Sequence, residues 1–142
     1  MADALPTSLT LDIVTPDRQL VHEQVDEVEL PGADGYFGVL PGHTPLLAAL
    51  HVGELWYRKG QDKHYLAVAF GFAEILPDRV TVLAQIAEKA EEIVVTRAQE
   101  AKTRAEQHLA RPHPEMDYEL ARIALMKALI RIQVASKART RV

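Results

Sequence analysis

The stretch LPGADGYFGVLPGHTPLL, Leu30 to Leu47, holds three of the chain's eight prolines and four of its seven glycines within eighteen residues. A backbone so composed must turn sharply twice and still carry apolar side chains between the turns. Gly32 and Gly35 supply the first turn, and Pro41, Gly42 and Pro45 the second. Tyr36 to Leu40 between them is long enough for one short strand. Two turns around a short buried strand point to a β-structure with tight connections.

The sequence upstream and downstream fits that reading. Leu9, Leu11 and Ile13 alternate with Thr10 and Asp12, the period of a half-buried strand, which Pro16 ends. Similar segments follow at Val25 to Leu30, Glu54 to Arg58, Tyr65 to Phe70, Phe72 to Leu76 and Val80 to Ile86. Lys59-Gly60-Gln61-Asp62 joins one pair as a hairpin and Pro77-Asp78-Arg79 joins another. Many short strands without a helical period among them predict an antiparallel sandwich or flattened barrel.

Beyond residue 87 the period changes. Ala90, Val94, Ala98, Ala101, Ala105 and Leu109 recur every three or four residues, which predicts an amphipathic helix over about Glu91 to Ala110. Arg111-Pro112-His113-Pro114 cannot continue it. A second helix is predicted from Met116 or Asp117 to Lys137, with Ala121, Leu125, Ala128, Ile132 and Ala135 along one seam. Alanine at the seam lets two antiparallel helices approach closely. Leu120, Ile123, Ile130 and Val134 add apolar surface beyond it, so the hairpin is expected to need a third surface, either the sandwich or another subunit.

Composition marks the same boundary. Residues 1–87 carry 5 Lys or Arg against 12 Asp or Glu, and residues 88–142 carry 11 against 8, so an acidic part of net -7 precedes a basic part of net +3. All the glycines precede residue 72. Two domains are expected, 1–87 and 88–142. The formal net charge of -4 gives no reason to expect nucleic acid or anionic lipid as a partner. No apolar run approaches the roughly 20 residues that span a bilayer, and MADALPTSLT lacks the pattern of a signal peptide, so no direct membrane insertion is expected.

Few residues suggest chemistry. With no cysteine in the chain, disulfides and thiolate sites are excluded. The six histidines show no helical i, i+4 metal spacing, and no GxSxG, P-loop or strand-to-helix GxGxxG is present, so neither a metal site nor a catalytic group is expected. His43 reads as a loop or interface residue.

LPGADGYFGVLPGHTPLL, followed by GFAEI (Gly71 to Ile75), VTVLA (Val80 to Ala84) and an Ala-rich helical pair, resembles the epsilon subunit of bacterial and chloroplast F-type ATP synthases over nearly the whole chain. The resemblance implies an N-terminal sandwich of about ten strands and a C-terminal helical hairpin. It implies a non-catalytic rotor subunit on the cytoplasmic face of the bacterial inner membrane, coupling ion translocation through the c-ring to ATP synthesis. His43, Thr44, Pro45 and Leu46 would face the gamma subunit, and Asp34, Gly35 and Tyr36 the polar loops of the c-ring. In the family the hairpin folds against the sandwich or extends to the alpha and beta catalytic subunits, where it blocks ATP hydrolysis. Another reading of the residues, from a different class, is a stand-alone nucleotide-sensing module.

Some members of the family bind ATP through a motif (I/L)DxxRA, with an upstream Glu and downstream basic residues. The corresponding run here is Ile93 to Ala98. The resemblance makes Glu88, Arg97, Ala98, Arg104, Lys127 and Arg131 a degenerate ATP site. Val94 stands at the Asp position and Lys127 at an Arg position, so a carboxylate acceptor and a planar fork are missing. No cofactor is expected, with ATP at most a weak regulatory ligand. The plainer account of these basic residues is a solvated helix face.

Overall fold

The computed structural model of the chain describes residues 4–112 and 114–138. His113 of the proline break, and the ends of the two expected domains at 1–3 and 139–142, lie outside the described residues. Seven strands come first: β1 (Leu9–Val14), β2 (Gln19–Val25), β3 (Glu27–Gly32), β4 (Gly35–Val39), β5 (Leu46–Lys59), β6 (Asp62–Leu76) and β7 (Arg79–Lys89). A single 3-10 turn, Ala90–Glu92, leads into α1 (Val95–Leu109) and α2 (Glu115–Ala135). The strands lie in the order β2-β1-β7-β6-β5-β3-β4, and every pairing is antiparallel except that of β1 with β7.

A sheet of this length becomes a sandwich by folding on itself, and the three long strands contain the corner. Leu50 pairs with Gly71 and Val52 with Ala69, while Ala69 pairs with Ile86 and Gly71 with Ala84. His51, Phe70 and Gln85 therefore fall side by side, outside the regular ladder. On one side of them the core takes Leu50, Ala73, Ile75, Val80, Val82 and Ala84; on the other it takes Leu55, Leu66, Val68 and Ala87. The inward parity changes within each strand. A strand has period 2, so a one-residue irregularity exchanges its two faces, and here the same strands line both layers. Each long strand thus serves as two, and four short strands plus three halved ones reproduce the ten of the expected sandwich.

The corner has a backbone cost. Phe70 sits at φ 63, the one non-glycine residue with positive φ among those described. Gly71 follows at φ +131, where a Cβ would lie 2.1 Å from the Leu83 carbonyl oxygen. Only glycine fits there. The expected segments Tyr65 to Phe70 and Phe72 to Leu76 are consequently one bent strand. β2 has no alternation to mark it, because Leu20 and Val21 are adjacent and both buried, and the expected segment Val25 to Leu30 divides at Asp26 between β2 and β3. A register shift between Ile13 and Val14 accommodates the pair.

The helical part starts later than its period suggests. The chain at Val94 is still extended, and no side chain caps the first turn of α1. Ile93-Val94-Val95 is a β-branched run with no N-cap oxygen, so it resists helix. Ala90 and Ile93 instead bury against the sandwich with Ala67 and Val134. Arg18 donates two hydrogen bonds to the Glu92 carboxylate, at 2.9 and 2.8 Å, and fastens the linker to the β1–β2 turn. Ala98 and Ala105 of α1 and Ala121 and Ala128 of α2 are buried, as the seam requires. α2 closes at Ala135, two residues before the expected Lys137, which lies in the turn that follows.

Candidate functional site

The two turns of Leu30 to Leu47 lie at different places on the sandwich. In the first, Gly35 takes φ +132, Asp34 and Gly35 are exposed, and the Ala33 amide donates to the Ala49 carbonyl at 2.8 Å. Tyr36 exposes about half its surface, but its hydroxyl turns inward and accepts a hydrogen bond from the Glu54 amide at 3.0 Å. In the second turn Gly42 takes φ +88 and donates its amide to the Pro77 carbonyl at 2.7 Å. His43 Nδ1 lies 2.6 Å from the Thr44 carbonyl oxygen, so that nitrogen carries the proton and donates it. His43 is half-buried, and Thr44, Pro45 and Leu46 are exposed.

Leu46 opens β5, whose outer face carries a feature not anticipated from sequence. Ala49 pairs with Phe72 and Phe72 with Leu83, while Leu47 sits opposite Glu74. Phe72 and Leu83 are more than half exposed and Leu47 is 71% exposed. Leu83 also lies beside Val14 across the parallel β1/β7 pairing. The outcome is an apolar strip on the outside of the sheet, continuous with the His43–Leu46 turn. Its signal in the sequence is parity: Gly71, Ala73 and Ile75 face in, so Phe72 must face out.

The opposite layer receives the hairpin. Val134 is fully buried against Ala67, Ala90 and Ile93, with Tyr65, Ile130, Ala135 and Ala138 packed around them. The third surface expected for Ile130 and Val134 is thus the sandwich. Leu120, nearer the hairpin tip, stays 63% exposed. Two ion pairs flank the apolar contact. Glu54, 8% exposed, accepts from Lys137 Nζ at 2.8 and 2.9 Å and from Gln133 at 3.3 Å. Glu88 faces Arg131, with Nε 2.7 Å and Nη2 3.2 Å from its two oxygens.

Beside the Glu88–Arg131 pair lies a cavity of about 280 Å³, lined by Val52, Ala67, Ala69, Ile86, Ala128 and Ile130 together with Glu88, Lys127 and Arg131. Lys127 Nζ stands 5.8 Å from the centre of the Phe70 ring. Three of the six candidate ATP residues therefore meet at one cavity. The others do not join them: Ala98 is buried in the helix seam, Arg97 is exposed at the start of α1, and exposed Arg104 lines separate grooves nearer the hairpin tip and along α1. Val94 is 44% exposed and offers no acceptor. Glu88 and Arg131 spend their charges on each other.

The remaining polar constellations are structural in form. Asp12, largely buried, meets His22, Arg79 at 2.7 Å and Gln19 at 3.2 Å. The Arg18 guanidinium holds the Glu92 carboxyl below the usual carboxylate range, and the Lys59 ammonium does the same for Glu23. Among the described residues no three His, Cys, Asp or Glu side chains gather where they could hold a metal ion. No described helix is long and apolar enough to cross a membrane.

Residues 8–90 match the family model for the β-sandwich domain of the ATP synthase delta/epsilon chain, and residues 91–136 match that for its long α-helix domain. The ATP synthase epsilon chain of Nitratidesulfovibrio vulgaris strain DP4 is 49% identical over 131 residues, covering 92% of this chain and 98% of that one. ATP synthase epsilon chain 2 of Syntrophotalea carbinolica is 49% identical over 130 residues, covering 91% and 94%. Among solved structures, a chain of the Euglena gracilis mitochondrial ATP synthase OSCP/F1/c-ring assembly superposes with a TM-score of 0.82 at 24% identity, covering 95% of this chain and 84% of that one. A chain from the Tetrahymena thermophila mitochondrial ATP synthase central stalk and c-ring gives 0.60 at 11% identity, covering 96% and 100%. These two likenesses concern the fold.

Proposed function

Because the chain belongs to the ATP synthase delta/epsilon family and is not the catalytic subunit, we propose that it links the gamma subunit to the c-ring and regulates hydrolysis through its hairpin. The observation that carries this reading is the exposed apolar strip Leu47, Phe72 and Leu83, continuous with His43–Leu46. A monomer rarely leaves such a strip uncovered, and burial of these side chains gives a partner helix its affinity. We assign the strip to gamma. Asp34, Gly35 and Tyr36, on a separate turn, face the polar loops of the c-ring. The protein is then peripheral on the cytoplasmic face of the bacterial inner membrane, as part of the complex.

The test is co-purification with gamma. Phe72→Asp with Leu83→Asp places two charges on the strip without touching the core, and is expected to abolish gamma capture while the melting temperature is retained. Full capture by that variant would remove gamma from this face.

The hairpin's regulatory part rests on family membership and on its basic charge, which suits acidic surfaces on the alpha and beta subunits when it extends. ATP is at most a weak ligand in this reading. A cavity lined mainly by alanine and branched aliphatic side chains, with Glu88 and Arg131 already paired, offers a polyphosphate little beyond Lys127. Calorimetric titration of the unmodified chain decides it, and micromolar binding would overturn this part.

A further inference from the structure

Strand β3 pairs with β5 as far as Glu29 with Trp56, and the ladder then slips before resuming at Gly32 with Leu50. The β5 residues between have no regular partner on that side, and an amide there needs another acceptor. For Glu54 the acceptor is the Tyr36 hydroxyl, at 3.0 Å. The fit is close. A Cβ on Gly53 would lie 2.4 Å from Pro31 Cβ and 2.5 Å from the Tyr36 hydroxyl oxygen, so only glycine lets the ring reach across. The carboxylate of the same Glu54 is buried and receives Lys137 and Gln133 from the end of α2. One residue thus has its backbone held from the β3–β4 turn and its side chain holding the helix.

We propose that Tyr36 is a positioning residue for the docked hairpin: its hydroxyl fixes the β5 backbone at Glu54 so that the buried carboxylate meets Lys137 and Gln133. The hydroxyl accepts in this contact and keeps its own proton to donate, and Tyr36 is 54% exposed. A polar partner that draws the hydroxyl outward competes with the Glu54 amide, and the cost falls on the α2 contact. The exposed turn and the hairpin are coupled through a single peptide unit. This goes beyond assigning Asp34–Tyr36 to a ring-facing surface, and does not depend on it.

Amide hydrogen exchange on the full chain tests the proposal, read over 128–138 with the β1 and β7 amides as internal reference. Tyr36→Phe keeps the ring and removes the oxygen. It is expected to speed exchange over 128–138 by about three- to ten-fold, the range of one lost hydrogen bond, with β1 and β7 unchanged. Lys137→Met is expected to give a similar factor alone. In the double variant the increment due to Tyr36→Phe disappears, since both substitutions break one link. An equal increment in both backgrounds, no increment at all, or a uniform acceleration of sheet and helix would each overturn it. The isolated chain suffices, so a negative result leaves the assignment of the turn to an outside partner untouched.

Discussion

Gly71 shows how much of this molecule turns on single backbone positions. It stands beside the only described non-glycine residue of positive φ, with the Leu83 carbonyl where its side chain would be. Gly71→Ala is expected to cost at least about 2 kcal/mol, combining strain and clash, measured as a lower urea midpoint. Glu92 offers a second test at this scale. Its carboxyl lies below the ordinary range because Arg18 bonds to its charged form. A carboxyl depressed in the folded state contributes stability above its unfolded pKa and loses it as pH falls through the folded one. Arg18→Met is therefore expected to bring the Glu92 titration, followed by NMR, back up toward the ordinary range, and to remove its share of the stability gained between acid and neutral pH. Exposure of both side chains keeps that share small.

At the scale of elements, docking of α2 depends on Val134, fully buried where Ala67, Ala90 and Ile93 converge. Val134→Asp would bury a charge without a partner, and the helix is expected to leave the sheet rather than accept it. Limited proteolysis should then cut after the linker, near residue 93, while the sandwich keeps its melting transition. Resistance equal to that of the unmodified chain would mean that the ion pairs alone hold the hairpin. Sequence is legible where one period governs an element, as in β1 and the alanine seam, and where turns bound one closely, as in β4. It failed where tertiary contacts override local pattern. β2 pairs through a bulge, and α1 starts late because Ile93 is worth more buried on the sheet than in a helical turn. The same limit applies to the candidate sites. The resemblance implied Glu88, Lys127 and Arg131, which do meet, together with Arg97 and Arg104, which do not join them, because their distances depend on how the hairpin lies on the sheet. The resemblance implied an outward role for Tyr36, whereas its bond to Glu54 depends on a register slip that no local pattern records.

For the whole molecule, the acidic 1–87 and basic 88–142 carry opposite net charge, Glu54 with Lys137 joins the two parts, and Glu88 of β7 pairs with Arg131 of α2. Division of labour between the two parts can be tested by cutting. β7 runs to Lys89, which pairs with Leu66, and Glu92 is tied to Arg18, so a fragment ending at residue 92 keeps sheet contacts that one ending at residue 87 gives up. The longer fragment is expected to melt cooperatively and bind gamma, and a complex assembled with it should hydrolyse ATP faster than one with the full chain. In the complex assembled with the full chain, raising salt should weaken inhibition, and replacing Arg122, Lys127 and Arg131 by Ala should flatten the dependence. Hydrolysis unchanged by truncation would deny the hairpin a regulatory part.

The parallel seam between β1 and β7 bears on how the chain is made. Thr10 lies beside Arg79 and Val14 beside Leu83, some seventy residues on. The first strand to leave the ribosome must therefore wait for the last before the sheet can join across its middle. Until residues 79–83 have been synthesised, β1 and β2 form only a hairpin with one edge open, a state that closes slowly and invites pairing with other nascent chains. The molecule is complete as a sandwich only when translation has nearly reached the helices. Its dependence on chaperones during synthesis should fall abruptly once β7 has emerged.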